Sequence, residues 1–246
     1  MRISYESVSV KRGEKLVINN LTASMEGPGL YQVIGPNGAG KTTLLLVTLG
    51  VVKPVSGRVV VEPGNSERRT VSYMPQDFEL PRDAPMSTYE FVENYLELWR
   101  GRFLKRDPGV DSRVREVLEL VGIPRNLWNE KLTHLSGGMV KRALLARTLA
   151  PDTPIVLLDE PLSNIDPEGK VDVAEILGSL SRSKLIVITS HDPILLLEYT
   201  RKVLLLGYGY YHYGEPSEAL KYEVLSKFYK KCAIELEKHV HIVDWH

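Results

Sequence analysis

The feature that most constrains the fold is a short glycine-rich stretch that ends in Lys and Thr, namely Gly35-Pro36-Asn37-Gly38-Ala39-Gly40-Lys41-Thr42. The apolar run before it, Leu30–Ile34, predicts a buried strand, and the apolar segment after it, Leu44–Gly50, predicts a helix. Strand, loop and helix in this order match the P-loop pattern G-x-x-x-x-G-K-[ST], in which backbone N–H groups close around phosphate oxygens. We therefore expect Lys41 to reach the β and γ phosphates of a nucleotide and Thr42 to coordinate Mg²⁺.

Two adjacent carboxylates follow another apolar run further along the chain. The run Ile155–Leu158 predicts a buried strand, and Asp159 and Glu160 come directly after it. The carboxyl ends of parallel strands gather at one edge of a sheet, so Asp159 is expected beside the P-loop, where it would hold Mg²⁺ directly or through water. Glu160 is then placed to orient or deprotonate the attacking water.

A histidine follows a third apolar run in the same way. The run Leu185–Thr189 predicts a buried strand, and it continues into Ser190 and His191. At this edge of the sheet an imidazole can contact both the γ phosphate and the attacking water. His191 is therefore a candidate catalytic residue.

A second anion site is predicted where Leu135–Gly138 precedes a helical segment. The hydroxyl of Ser136 and the amides of Gly137 and Gly138 would stand at the start of that helix, where anions bind. One nucleotide hardly needs two such sites within one chain, so we expect this one to serve the nucleotide of a facing copy in a dimer with twofold symmetry. Taken alone, the stretch also fits a serine that merely caps a helix.

Charge and apolar content narrow the choice of partners. Lys plus Arg and Asp plus Glu each number 31, so no net field draws the protein to nucleic acid, and we expect no nucleic-acid partner. A single cysteine, Cys232, excludes an internal disulfide. No apolar run approaches the roughly 20 residues that a membrane-spanning helix needs. We expect a cytoplasmic protein that reaches a membrane only through a partner.

Helical spacing replaces strand alternation from about Thr88 onward. Apolar residues recur there at intervals of three and four, namely Phe91, Tyr95, Leu98, Val114, Val117, Leu118 and Val121. Strand patterns resume at Ile155–Leu158, and the alternation of strands and helices that follows is typical of a parallel sheet. The middle of the chain is thus predicted to be a helical insert in an α/β protein.

Together these motifs resemble the ATP-binding-cassette (ABC) ATPase family over essentially residues 1–225. They are similar, in the family's order, to its Walker A motif, Q-loop, signature motif, Walker B motif, D-loop and switch histidine, at Gly35–Thr43, Gln76, Leu135–Gly138, Ile155–Glu160, Ser163–Asp166 and His191. The resemblance adds Thr43 to the candidate nucleotide site. The family's Q-loop glutamine links the Mg²⁺ and attacking-water site to the helical subdomain, which implies catalytic and metal-binding roles for Gln76.

The resemblance implies an α/β fold with a P-loop NTPase (RecA-like) parallel-sheet core, an N-terminal antiparallel β subdomain and an inserted α-helical subdomain. We expect a single ABC ATPase domain. Its β subdomain and core would cover about 1–77 and 151–216, its helical insert about 78–150, and a short C-terminal extension 217–246.

The resemblance also implies a function, that of the ATP-binding and ATP-hydrolysing subunit of an ABC transporter, with ATP and Mg²⁺ as its cofactors. Its partners would be a second cassette, in a homodimer or from a related subunit, and a separate membrane-spanning permease. Through the permease the chain would be peripheral on the inner face of the cell membrane.

Two residues depart from the family's pattern. The final Gln of the signature motif is Met139 here, which removes a polar side chain near the nucleotide of the facing copy. The aromatic residue that stacks on adenine, expected just before Gly13, is Arg12. A guanidinium plane can still stack on a base, so Arg12 remains a candidate nucleotide-binding residue.

The chain is more finely similar to the ATPases of metal-cation importers. Two stretches carry this similarity, Tyr73–Gln76 continuing to Val92, and Leu204–Leu206 continuing to Tyr229. It implies a metal cation as the transported substrate. The alternative is a soluble ABC ATPase of the iron–sulfur assembly kind, in which the same motor acts on a cytoplasmic scaffold.

A docking surface for the membrane partner is predicted around Gln76 and the insert segment from Pro81 to Arg106. Phe78 and Leu80 place apolar side chains in a polar, proline-punctuated stretch that lacks the periodicity of a core element. The alternative is that these two side chains cover the protein's own core.

Overall fold

The structure, a computed structural model, describes residues 1–64, 70–78, 85–101, 108–191, 193–229, 233–236 and 239–242. A six-stranded sheet forms its centre, with the strand order β5-β6-β7-β3-β8-β9. Its strands are β3 (Gly29–Ile34), β5 (Val71–Met74), β6 (Ile155–Asp159), β7 (Leu185–Thr189), β8 (Thr200–Leu206) and β9 (Tyr211–Gly214). All neighbours pair in parallel except β9, which forms an antiparallel hairpin with β8.

This topology brings four carboxyl ends to one edge. Every residue of β6 and of β7 is buried, as expected of parallel strands covered on both faces. The P-loop follows β3, Gln76 follows β5, Glu160 follows β6 and His191 follows β7. The predicted buried strands and the predicted α/β class are therefore confirmed.

A second, antiparallel sheet has the order β2-β1-β4. It consists of β1 (Arg2–Arg12), β2 (Lys15–Glu26) and β4 (Ser56–Glu62). Its inward residues join one hydrophobic cluster with the inward residues of the helix after the P-loop, which confirms the predicted N-terminal antiparallel sheet.

Tyrosine hydroxyls join the outer edge of β2 to the central sheet. The hydroxyl of Tyr211 accepts from the backbone N–H of Thr22 at 3.1 Å, and that of Tyr213 donates to the carbonyl of Ser24 at 2.5 Å. The hydroxyl of Tyr31 both accepts from the N–H and donates to the carbonyl of Glu26, at 2.9 and 2.6 Å. Alternate residues of β2 are thus bonded to the neighbouring sheet.

The helices are α1 (Lys41–Thr48), α2 (Thr88–Arg100), α3 (Pro108–Leu120), α4 (Gly137–Leu149), α5 (Pro167–Leu180), α6 (Pro216–Ala219) and α7 (Tyr222–Tyr229). In the part of the chain that the structure describes, 3-10 turns lie at Arg125–Leu127, Leu132–His134 and Ile194–Tyr199. Helix α1 begins at Lys41, earlier than the predicted Leu44, because the end of the P-loop already has helical geometry.

The helical insert packs α2 against α3 and α4. Helix α2 begins with a capping box in which Ser87 and Glu90 exchange hydrogen bonds. Its buried apolar residues are Phe91, Val92 and Leu96, whereas Leu98 is 50% exposed. The helical spacing predicted from about Thr88 onward is therefore confirmed, although Leu98 is exposed and Leu96 belongs to the core cluster of the insert instead.

The C-terminal part adds a small helical layer and a hairpin. Helix α7 packs Leu225 and Phe228 against residues of β3 and β8. Beyond it, β10 (Ala233–Leu236) and β11 (His239–Ile242) form an antiparallel pair. Within the described ranges, no helix is long and apolar enough to cross a bilayer.

Candidate active site

The P-loop wraps around a cavity of about 480 Å³, within the range of ligand pockets. Gly35 lies so close to the end of β8 that a Cβ there would stand 2.2 Å from the carbonyl oxygen of Leu206. Gly40 precedes α1 with φ of 103°, a conformation that favours glycine. Lys41 is buried and folds back across the loop, and its Nζ donates to the Gly35 carbonyl at 2.8 Å.

Most of the predicted nucleotide-binding residues meet in this cavity. Those that line it are Arg12, Asn37, Gly38, Gly40, Lys41, Thr42 and Thr43. Gln76 and Glu160, two of the three catalytic candidates, line it as well. Pro36 and Ala39 belong to the same loop, where the N–H of Ala39 donates to the carbonyl of Pro36 at 3.1 Å. The cavity is therefore lined by the P-loop and, from outside the loop, by Arg12 of β1.

Glu160 is the hub of the candidate site. The side-chain amide of Gln76 donates to its Oε2 at 3.0 Å, and Nε2 of His191 lies 2.5 Å from its Oε1. Burial raises the pKa of Glu160, but the hydrogen bond and charge of His191 and the charges of Lys41 and Lys141 outweigh it and hold the pKa below its ordinary value. The carboxylate is thus fixed at both oxygens and kept ionised.

Asp159 has a buried carboxylate that could serve as a ligand of a cation. It is fully buried at the end of β6, and its Oδ1 accepts from the Thr189 hydroxyl at 2.5 Å. Among the described residues its Oδ2 has no hydrogen-bond partner. A buried carboxylate oxygen without a donor is costly unless a cation neutralises it, so the residues fit a magnesium ion held near Asp159 and Thr42.

Thr189 also organises the neighbouring backbone. Its hydroxyl accepts from the N–H of Glu160 at 2.9 Å while it donates to Asp159. Burial, the negative charge of Asp159 and a side-chain hydrogen bond with Asp159 raise the pKa of Tyr73 on the adjoining strand to about 12. Sequence reasoning missed Thr189, because its place opposite Asp159 depends on the register in which β6 pairs with β7.

The predicted second anion site lies apart from this cavity. Ser136 caps α4, and its hydroxyl accepts from the N–H of Met139 at 3.3 Å. Ser136 and Gly137 are exposed, and the described lining of the P-loop cavity includes neither of them nor Gly138. The structure therefore does not bring this stretch to the chain's own P-loop.

Two further residues line the cavity beside Arg12, namely Lys15 and Val17 on β2. Sequence reasoning missed both. The described lining contains no aromatic side chain, in agreement with the absence of an aromatic residue at position 12. The part of the cavity wall that Arg12, Lys15 and Val17 form is therefore cationic and aliphatic.

The predicted docking role of Phe78 is not supported by its contacts. Its ring packs against the core of the helical insert, with its centroid 5.2 Å from that of Phe91, and the Arg147 guanidinium lies 4.8 Å from the Phe78 centroid. Phe78 therefore covers the protein's own core, which is the alternative interpretation. Leu80 lies outside the described residues. Of the predicted segment from Pro81 to Arg106, residues 81–84 and 102–106 also lie outside them.

The sequence is similar to known proteins along most of its length. Residues 18–163 match the family model described as ABC transporter. The zinc import ATP-binding protein ZnuC of Rickettsia bellii is 32% identical over 83% of this chain and 82% of its own length. A Thermotoga maritima protein named "Probable metal transport system ATP-binding protein" is 32% identical over 94% of this chain and 91% of its own length.

The fold is also similar to solved structures. A chain from an ABC transporter assigned to the metal-chelate type, in an inward-facing conformation, superposes with a TM-score of 0.84 at 24% identity, covering 99% of this chain and 97% of that one. The ATP-binding cassette MJ0796, solved as a dimer in a post-hydrolysis state with ADP and Pi, gives 0.75 at 23% identity, covering 87% of this chain and 98% of that one. These structures confirm the fold.

Proposed function

The chain belongs to the ABC transporter family as an ATP-binding and ATP-hydrolysing subunit, and we propose that it powers the import of a metal cation, zinc. The names of the relatives support this choice of substrate, since those proteins are named for zinc import and metal transport. These names also favour transport over the soluble iron–sulfur alternative.

The observation that carries the proposed mechanism is the convergence of Gln76 and His191 on Glu160 beside the P-loop cavity. Glu160 accepts the proton of the attacking water, because its carboxylate is ionised and faces the cavity. Gln76 and His191 hold that carboxylate in one orientation. Lys41 and the loop N–H groups hold the phosphates of ATP.

Magnesium completes this site in the proposal. Thr42, Asp159 and Gln76 would hold it, and it would neutralise charge on the phosphate oxygens. The unpartnered Oδ2 of Asp159 supports this assignment.

Two copies act together in the proposal. Ser136, Gly137 and Gly138 of one copy bind the nucleotide held by the P-loop of the other, because an exposed helix start with free N–H groups suits a phosphate. ATP binding then closes the pair, and hydrolysis reopens it. A separate membrane-spanning permease receives this motion, which places the chain on the cytoplasmic face of the membrane.

Metal content of cells tests the proposed substrate. Cells that lack this chain should accumulate less zinc from a zinc-poor medium than the parent strain, as measured by elemental analysis together with iron and manganese. The wild-type gene should restore zinc content, and a Lys41→Ala gene should not. Unchanged zinc with a loss of another metal would overturn the zinc assignment, and unchanged contents of all metals would overturn metal import.

A further inference from the structure

Lys141 links α4, the helix that begins in the signature-like stretch Leu135–Gly138 and is here called the signature helix, to the carboxylate of Glu160 within one chain. Lys141 lies on α4 and is only 7% exposed. Its Nζ donates to the main-chain carbonyl of Gln76 at 2.7 Å. The side chain of Gln76 donates in turn to Oε2 of Glu160 at 3.0 Å. Two hydrogen bonds therefore connect α4 to Glu160 through a single residue of the Q-loop.

The surroundings of Lys141 indicate that it does more than stabilise the fold. Burial lowers its pKa, and the carboxylates of Glu160, Asp77 and Asp159 offset that effect only in part. A buried cation is costly, and an apolar side chain of similar volume often serves stability as well or better. The contribution of Lys141 therefore comes from its contact, because its Nζ bonds to the main chain of Gln76 while the side chain of Gln76 bonds to Glu160.

We propose that Lys141 is a positioning residue for ATP hydrolysis, which acts by fixing the main chain of Gln76 and thereby the amide that orients Glu160. This inference rests on the proposed function. It assigns a role to the signature helix within its own chain, in addition to the proposed contact of Ser136 with the facing copy.

Helix geometry makes the two roles interdependent. Ser136 caps α4, and Lys141 lies five positions later, about 7–8 Å along a helix that rises about 1.5 Å per residue. A short helix of this kind moves as a unit, so seating Ser136 on a partner's nucleotide also sets the position of Lys141. In the proposed pair, closure would therefore act on the orientation of Glu160 through α4, Lys141 and Gln76.

The test is a kinetic cycle in the purified full-length protein. Lys141→Met removes the donor and the charge, and it should lower kcat for ATP about tenfold or more while KM changes by less than about threefold. Lys141→Arg keeps an N–H donor and should restore most of kcat. Gln76→Ala should also lower kcat, and adding Lys141→Met to it should cause a clearly smaller loss than in the wild type, because the part of the Lys141 effect that passes through Gln76 is already gone.

The matched control is Lys184→Met. Lys184 is also a mostly buried lysine that donates to a main-chain carbonyl, that of Thr153 at 2.9 Å, but it lies away from the cavity. This variant should retain wild-type kcat, and thermal unfolding of every variant shows whether it is folded. If Lys141→Met does not fold, Lys141→Leu, which also lacks a donor and a charge, replaces it in the cycle with the same expectation.

Three results would overturn the inference. They are a wild-type kcat in the Lys141 variant, losses that multiply in the double variant, and an equal loss of kcat in Lys184→Met. If the wild type hydrolyses ATP and Lys41→Ala does not, these results leave the proposed function intact. A wild type without ATPase activity would instead overturn the proposed function itself.

Discussion

Nε2 of His191 lies 2.5 Å from Oε1 of Glu160, although the two residues follow different strands. Strands β6 and β7 are parallel neighbours whose register sets Asp159 opposite Thr189. The residues just beyond these positions therefore leave the sheet side by side. The catalytic pair is held by strand register, and Thr189 fixes that register at its last rung through its bonds to Asp159 and to the N–H of Glu160.

Lys41→Ala should abolish ATP turnover. The substitution removes the cation that lies across the P-loop and leaves the phosphate charge without its closest counter-charge. Steady-state phosphate release measures the effect. Lys53→Ala, at an exposed position after α1, should keep wild-type activity, and turnover by Lys41→Ala would show that the P-loop assignment is wrong.

Glu160→Gln should bind ATP and not hydrolyse it, because the amide keeps the shape of the carboxylate and cannot accept a proton. Trapped ATP should then hold two copies together, which size-exclusion chromatography with light scattering would detect. Adding Ser136→Arg to this variant should prevent dimer formation. A Glu160→Gln protein that stays monomeric with bound ATP would contradict the proposed role of Ser136.

Thr189→Val should lower both stability and activity. Valine has a similar shape, but it leaves the buried N–H of Glu160 and Oδ1 of Asp159 without their shared partner, at a cost of about 1–3 kcal/mol. Urea unfolding measures this change. Thr148→Val is the control, since the buried Thr148 hydroxyl donates only to a carbonyl within α4, and it should cost less than about 1 kcal/mol.

Arg12→Tyr should tighten ATP binding. An aromatic ring in place of Arg12, in the wall of the P-loop cavity, can stack on the base, and base–aromatic stacking contributes about 1–3 kcal/mol. We expect the Kd for ATP, measured by calorimetry, to fall about fivefold or more. Lys11→Tyr, one residue earlier on β1 and exposed, should leave it unchanged, and an unaltered Kd in Arg12→Tyr would place the base elsewhere.

Phe78→Ala should destabilise the helical insert by about 1–3 kcal/mol, because a half-buried ring that packs on Phe91 and Arg147 is lost. Urea unfolding of the isolated chain would show this without any partner. Leu98→Ala on the exposed face of α2 should change stability by less than about 0.5 kcal/mol. Wild-type stability in Phe78→Ala would restore Phe78 as a candidate contact for a partner.

The sequence predicts those parts of the site that depend on local pattern. The apolar run Leu30–Ile34 and the glycines after it carry a strand-and-loop pattern in their own sequence, so the position of Lys41 could be predicted from its neighbours along the chain. The carboxylates after β6 and the histidine after β7 follow from the rule that parallel strands end at one edge.

The remaining contacts depend on packing between distant segments. Lys141 faces Gln76 only because α4 lies against β5, and nothing in its local sequence indicates this. The burial of Leu96 rather than Leu98 on α2 depends likewise on the cluster that α2 shares with α3 and α4. The irregular pattern of the segment around Phe78 favours a contact with a partner, yet the neighbours of Phe78 in space come from α2 and α4.

The tyrosines that bond to β2 affect how the protein behaves at high concentration. An edge strand with open N–H and carbonyl groups can pair with a strand of another molecule and start an aggregate. On the outer side of β2, phenol hydroxyls from Tyr31, Tyr211 and Tyr213 already bond the backbone groups of Thr22, Ser24 and Glu26 that such pairing would use. The protein can therefore expose its N-terminal sheet to a crowded solution and still resist strand-to-strand association along that edge.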